Sequence, residues 1–253
     1  MRCTTHNSSF VRARLQAAWH RISSILSVPA SPPSAAARGS QPRRLHRFEP
    51  QHFSSLSALR ASANSGAREI FLIGCSDQGP ALEDLSFAPP DSMLIQQNLA
   101  ASIPSAGNHD DVTSLATVEY AVALAHARHI IVCGHTACQV IPYWLNSTAR
   151  AHNACPYYLQ FEREVRRVVD REYGSRISAT ERLRLMLEEQ TLFQLENLQA
   201  LTCVQQRLAT GELHLHAWLV DDATARIKTY LPQSGQFIPI EESSATPPVP
   251  CHH

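Results

Sequence analysis

No apolar stretch in the 253 residues approaches the length of a membrane span. The longest, IFLIGC and HIIVCGH, fall well short of the roughly 20 residues that a bilayer-crossing helix needs, so no span is expected. A secretory apolar segment is missing too. The seven cysteines (Cys3, Cys75, Cys133, Cys138, Cys155, Cys203, Cys251) are odd in number and lack the close spacing of a disulfide framework. They are expected to be reduced, either free for metal or buried. Net charge is absent, with 22 Lys and Arg against 22 Asp and Glu. A sharper absence is local: no acid precedes Glu49, while eight arginines do (Arg2, Arg12, Arg14, Arg21, Arg38, Arg43, Arg44, Arg47). Taking those eight from the 22 basic residues leaves 14 against 22 acids, a net charge of −8 for the remainder. That balance argues against nucleic acid as a partner of the main chain. There is no internal repeat.

The acid-free leader, residues 1–47, contains FVRARLQAAWHRISSIL, where Phe10, Leu15, Ala18, Ile22 and Leu26 can share a helical face opposite arginines. That is the composition of a mitochondrial presequence, which makes the mitochondrion the expected compartment and the cytoplasm the alternative. A disordered basic tail is the competing reading, and SVPASPPSAAARGSQP suits it. The folded domain is expected over 48–241, and ESSATPPVPCHH, 242–253, reads as a flexible tail.

Within the domain, strand-like and helix-like segments alternate. EIFLIGC (69–75) and HIIVCGH (129–135) are continuously apolar, as strands covered on both faces are, and SMLIQQN (92–98) is a weaker third. Between them, VTSLATVEYAVALAHA (112–127) places Leu115, Val118, Val122 and Ala125 at helical spacing. Strand, helix, strand in that order predicts a right-handed crossover in a parallel sheet. Residues 141–210 read as helical: Phe161, Val165, Val168 and Val169 form a stripe before Gly174, and Ser178 or Thr180 caps the next helix. LHLHAWLVD then alternates as a strand, and DDATARIKTYLP reads as a turn and return. The fold expected is α/β: a mainly parallel β-sheet flanked by helices, with an antiparallel addition near 213–231 and an extra N-terminal segment.

Chemistry concentrates where the two strongest strands end. CGHTAC puts His135 and Cys138 three residues apart in one tight turn, and Cys75 ends the other apolar run. If those strands are neighbours, their carboxyl ends meet where open α/β sheets build sites. One imidazole and two thiolates are three ligands for a Zn2+ ion. The fourth position is open to water, whose pKa zinc lowers from about 15.7 to near 7, or to Asp77, two residues beyond Cys75.

CSD at 75–77, EYAV at 119–122 and HIIVCGHTAC at 129–138 together resemble the β-class carbonic anhydrases. That family carries Cys-x-Asp-x-Arg, Glu-Tyr-Ala-Val and Cys-Gly-His-x-x-Cys elements in this order. FEPQHFSSL, IQQNLAA, LENLQAL, GELHLHAWLVD and SGQFIPI extend the similarity over most of the chain after residue 48. The resemblance implies reversible hydration of CO2 to bicarbonate, one zinc per subunit held by Cys75, His135 and Cys138, and a homodimer or larger homo-oligomer. It also implies that Asp77 pairs with an arginine, which keeps the carboxylate off the metal and free to orient the attacking oxygen.

Here Gly79 stands where that arginine belongs. Without its bidentate cationic partner, Asp77 is expected to turn to the zinc as a fourth ligand, closing the site and slowing or silencing turnover. Gln96 and Gln97 replace a basic residue before Asn98, Ala101 replaces an asparagine, and Gln139 and Val140 follow Cys138 in place of small glycines. A non-catalytic zinc homologue acting as a bicarbonate-binding, structural or regulatory subunit is therefore the second reading. The remaining candidates have plainer roles: Cys133 as a buried strand residue, His214 and His216 as satisfied or solvent-facing side chains, and His126 and His129 as cations at a helix end. His109, Asp110 and Asp111 precede a helix that the acids would cap, and the terminal Cys-His-His is loose.

Overall fold

The computed structural model describes residues 46–78, 88, 92–105, 107, 111–145, 156–174 and 176–245. Residues 1–45 of the leader, Gly79, His109, Asp110 and the tail from residue 246 lie outside the described residues. Six strands form one sheet: β1 (Ile70–Cys75), β2 (Met93–Asn98), β3 (His129–His135), β4 (His214–Val220), β5 (Ile227–Leu231) and β6 (Gln236–Pro239), in the order β2-β1-β3-β4-β5-β6. The first four are mutually parallel, and β5 and β6 add antiparallel. The α/β expectation thus holds. The antiparallel addition differs in detail: residues 214–220 pair parallel with β3 on one side, and the extension includes β6 beyond 231.

Every residue of β1 is buried, because helices cover both faces of a central parallel strand. β2 occupies the sheet edge, and its half-exposed glutamines match the weaker apolar signal there. The helices are α1 (Leu56–Ala63), α2 (Val112–Glu119), α3 (Val140–Leu145), α4 (Pro156–Tyr173), α5 (Ala179–Gln199) and α6 (Thr202–Ala209). Asp111 caps α2 by accepting from the Ser114 N–H at 3.0 Å. The Glu-Tyr-Ala-Val element then crosses from α2 into a π turn at Tyr120–Leu124, which closes with His126 at φ 56°. His129 is therefore not at the helix end: it opens β3, buried in the sheet, and burial with nearby His214 and Arg128 lowers its pKa to about 4. The cationic role expected of it is incorrect.

On α5, Ser178 is the cap, accepting from the Glu181 N–H at 3.1 Å. This helix buries Leu185, Met186, Leu187, Leu192, Leu195 and Leu198, each contributing about 1.5–3 kcal/mol. It also anchors the N-terminal segment. His46 donates or accepts at Glu189 Oε2 (2.8 Å) and Glu196 Oε1 (2.9 Å). Burial opposes charging His46, but the two carboxylates prevail and raise its pKa to about 9.

The sheet separates two apolar layers. Leu56, Leu59, Leu72, Ile131, Cys133 and Trp218 pack on the α1 face. Cys75, Cys138, Ile141, Phe161 and Leu187 pack among helices α3 to α5.

Candidate metal centre

The strand register fixes the site. β1 and β3 are adjacent, so Cys75 and His135, the last residue of each, leave the sheet at the same end. The chain turns after His135 and brings Cys138 back at the start of α3. Asp77 lies one turn beyond β1. The donor atoms of Cys75, Asp77, His135 and Cys138 all lie within 4.8 Å of one another. Two sulfurs, an imidazole nitrogen and a carboxylate oxygen form the donor set that tetrahedral zinc takes, so these residues fit a Zn2+ ion. The three ligands named in the sequence and the candidate fourth are thus brought together.

Asp77 sits inside the group. Its Oδ1 is 2.7 Å from Cys75 Sγ and 2.8 Å from His135 Nε2, and its Oδ2 accepts the Gln139 N–H at 2.8 Å. Among the described residues, no lysine or arginine pairs with it. Burial opposes its charge, but the Cys75, Gln139 and His135 hydrogen bonds hold its pKa below the ordinary carboxylate value.

Asp222 was not anticipated from the sequence. Its Oδ2 is 3.1 Å from His135 Nδ1 and accepts the Ala137 N–H at 2.6 Å, while its own N–H donates to Thr136 Oγ1 at 3.1 Å. A ring nitrogen engaged by a carboxylate fixes the imidazole and leaves Nε2 for the metal. The available signal was positional: Val220 is in register with His135, so the acid two residues past β4 reaches the same end of the sheet. Burial lowers the His135 pKa, but the Asp222 and Cys75 hydrogen bonds outweigh it and raise the pKa to about 10. The hydrogen bond shared with Cys138, together with burial, raises the pKa of the Cys75 thiol; the same bond lowers that of Cys138 against the opposing effect of burial.

Cys75 has backbone support as well. The Ala100 N–H donates to its Sγ at 3.1 Å. Ala100 and Ala101 both adopt left-handed backbone, at φ 56° and 52°, which costs alanine roughly 1–2 kcal/mol each. Polar side chains buried on α5 hold that loop: Gln190 Nε2 donates to Ala100 O at 3.1 Å, Gln194 Oε1 accepts the Ile103 N–H at 2.6 Å, and Asn197 donates to Ile103 O at 2.9 Å. Helix α5 approaches β3 so closely that a Cβ on Gly134 would meet Thr191 Oγ1 at 2.5 Å. The cavity lined by Cys75, His135, Cys138, Ile141 and Leu187 measures about 10 Å³, at or below the roughly 10–15 Å³ that one water needs.

A family model described as carbonic anhydrase matches residues 70–227, which include all four donors and Asp222. The chain belongs to the β-class carbonic anhydrase family. Curated carbonic anhydrases share its sequence over most of their length: that of Pseudomonas aeruginosa is 29% identical over 203 residues (78% of this chain, 89% of the relative). Carbonic anhydrase 1 of Escherichia coli O157:H7 is 26% identical over 197 residues (77% and 88%). Among solved structures, the β-carbonic anhydrase CafD of Aspergillus fumigatus superposes with a TM-score of 0.54 at 26% identity, covering 63% of this chain and 86% of its own. The β-carbonic anhydrase CcaA shares the fold with a TM-score of 0.62 at 24% identity, covering 73% and 90%.

Cys133 is buried in β3 as expected, on the opposite face from Cys75. His216 is buried in β4, its Nε2 lying 3.2 Å from His129 Nδ1 and 3.3 Å from Ser54 Oγ.

Proposed function

We propose that this protein is a zinc-dependent carbonic anhydrase, interconverting CO2 and bicarbonate, whose turnover is slow or latent. Cys75, His135 and Cys138 hold the zinc, and Asp77 competes for the fourth position. Zinc bound there supplies Lewis acidity and lowers the pKa of coordinated water. The protein's own residues set the rest. Asp222 holds His135 by Nδ1, and the Ala100 N–H, steadied by Gln190, stabilises negative charge on Cys75 Sγ. Ile141 and Leu187 keep bulk water from the inner side of the group.

The observation that carries the reading is the double contact of Asp77 Oδ1 with Cys75 and His135. A carboxylate in that place belongs to the donor group. With glycine at 79, the arginine that would draw it away is missing, and the Gln139 N–H offers Oδ2 a neutral hydrogen bond only. The small volume beside the donors favours the same closed state and also supports a second reading, a non-catalytic zinc homologue that binds bicarbonate or serves another subunit.

Stopped-flow CO2 hydration by the purified zinc-loaded protein and its Gly79→Arg variant separates these. A slow parent and a faster variant support the latent enzyme. No turnover by either, with zinc bound, supports the second reading. A parent as fast as efficient enzymes, with kcat/KM on the order of 10⁷–10⁸ M⁻¹s⁻¹, contradicts a closed site.

A further inference from the structure

Helix α5 serves the metal centre on one stripe and the N-terminal segment on the next. Gln190, Gln194 and Asn197 face the backbone of residues 100–103, and Gln190 Nε2 holds Ala100 O at 3.1 Å. The Ala100 N–H in turn donates to Cys75 Sγ. Leu187 and Thr191 of the same helix line the small cavity beside Cys75, His135 and Cys138. The neighbouring stripe carries Glu189 and Glu196, two turns apart, and both meet His46.

His46 is fixed from behind: its ring stacks on Phe48 at 5.7 Å, and Phe48 meets Phe53 and Tyr230 edge-on. Burial opposes charge on the imidazole, yet the two carboxylates keep it protonated at neutral pH. Nε2 then donates to Glu189 Oε2 at 2.8 Å and Nδ1 to Glu196 Oε1 at 2.9 Å. The two acids are not equivalent. The Glu196 side chain is 39% exposed, where water screens the pair, but that of Glu189 is only 4% exposed. The other Glu189 oxygen accepts the neutral Tyr173 hydroxyl at 2.7 Å, and among the described residues no lysine or arginine pairs with this acid. His46 is therefore its counter-charge, and a buried carboxylate stripped of its counter-charge is strongly disfavoured.

We propose that His46 is a positioning residue for the metal centre: by neutralising Glu189 it fixes α5 in the place from which Gln190 holds Ala100 against Cys75. Without His46, Glu189 turns toward water and draws the helix with it. Gln190 is the next residue along, so the shift reaches Ala100 and the Cys75 sulfur directly. The segment that begins at His46 thus acts as a strap on the zinc site. This rests on zinc being held by Cys75, His135 and Cys138, and it stands whether or not the protein turns over CO2.

Loss of zinc from the full-length zinc-loaded protein to excess EDTA tests it, together with the thiolate charge-transfer absorption of the cobalt(II) form. His46→Ala is expected to speed zinc loss about tenfold, within the range that residues supporting metal ligands contribute, and to shift the cobalt absorption. Glu189→Gln removes the charge that His46 compensates, so His46→Ala/Glu189→Gln is expected to restore the absorption and bring zinc loss back to within about threefold of the parent. Leu59→Ala opens the core on the opposite face of the sheet and is expected to leave zinc loss unchanged. Parent-like zinc loss in His46→Ala overturns the proposal. So does failure of Glu189→Gln to rescue it, or equal acceleration by Leu59→Ala, which would reduce His46 to a general contributor to stability. Should His46→Ala fail to fold, Glu196→Gln decides: it removes the exposed partner and is expected to speed zinc loss about threefold, and a parent-like rate overturns the proposal. A parent that takes up no zinc would instead refute the metal-centre reading itself.

Discussion

Asp222 Oδ2 stands 3.1 Å from His135 Nδ1, joining the turn after β4 to the last residue of β3. The same oxygen accepts the Ala137 N–H, so one carboxylate orients the imidazole and shapes the turn that delivers Cys138. Carboxylates placed behind metal-binding histidines are worth about 10–100-fold in affinity. Asp222→Asn is expected to weaken zinc binding by that factor in a chelator competition, with far-ultraviolet circular dichroism unchanged. Equal affinity in the two proteins would remove Asp222 from the account.

Zinc binding is expected to depend steeply on pH. The His135 pKa is raised to about 10 and that of the Cys75 thiol is raised as well, so each must release a proton to become a ligand. Protons therefore compete with zinc throughout the neutral range, and affinity falls as pH falls. Two protons displaced correspond to up to about 100-fold per pH unit. Chelator competition at pH 6.5 and 7.5 reads this directly, and identical affinities would contradict the protonation assigned to these residues.

Gly134→Ala is expected to lower stability by about 1–3 kcal/mol. The new methyl would meet Thr191 Oγ1 at 2.5 Å and Leu219 Cδ1 at 3.2 Å, one residue before His135. Pairing it with Thr191→Ser, which removes a methyl but keeps the crowding hydroxyl, should recover little, while Thr191→Ala should recover more. Urea denaturation of the three proteins distinguishes them, and a parent-like Gly134→Ala would show that α5 does not press on this strand.

Much of this was legible in the sequence because the signals are local. Cys75 and His135 each end a continuous apolar run, and such runs mark central parallel strands whose ends adjoin. Asp222 was illegible for the opposite reason: Asp221 and Asp222 are adjacent acids in a turn, and only the folded turn decides which faces His135. Asp221 accepts the Ala223 N–H at 2.9 Å, while Asp222 turns inward. β6 was hidden by its length, four residues ending in proline. The histidine cluster was missed because alternation in LHLHAWLVD gives a strand but not what covers its face. Here α1 and its loop supply Ser54 and Ser62, which lie 3.2 and 3.1 Å from the two His129 ring nitrogens.

That cluster gives stability its own pH dependence. Burial lowers the His129 pKa to about 4 and pushes that of His216 well below 6.5, with Arg128 and His214 adding repulsion. Below pH 6.5 the unfolded chain takes up protons that the native pair refuses, so stability declines as pH falls from about 6.5 to about 4. The loss expected between pH 7 and 5 is on the order of 2 kcal/mol. Denaturant unfolding of the protein and of His129→Gln/His216→Gln isolates the effect, since zinc release is common to both. A slope unchanged by the double substitution would contradict it.

The central claim, that Asp77 closes the metal centre because Gly79 stands in place of the arginine that would hold it away, is tested most directly by the visible spectrum of the cobalt(II)-substituted protein. A site with Asp77 as fourth ligand has no ionising water, so the spectrum is expected to stay constant between pH 7 and 9, and to become pH-dependent in Asp77→Asn and Gly79→Arg. A reversible spectral transition in that range in the unsubstituted protein would show an open site and contradict the account.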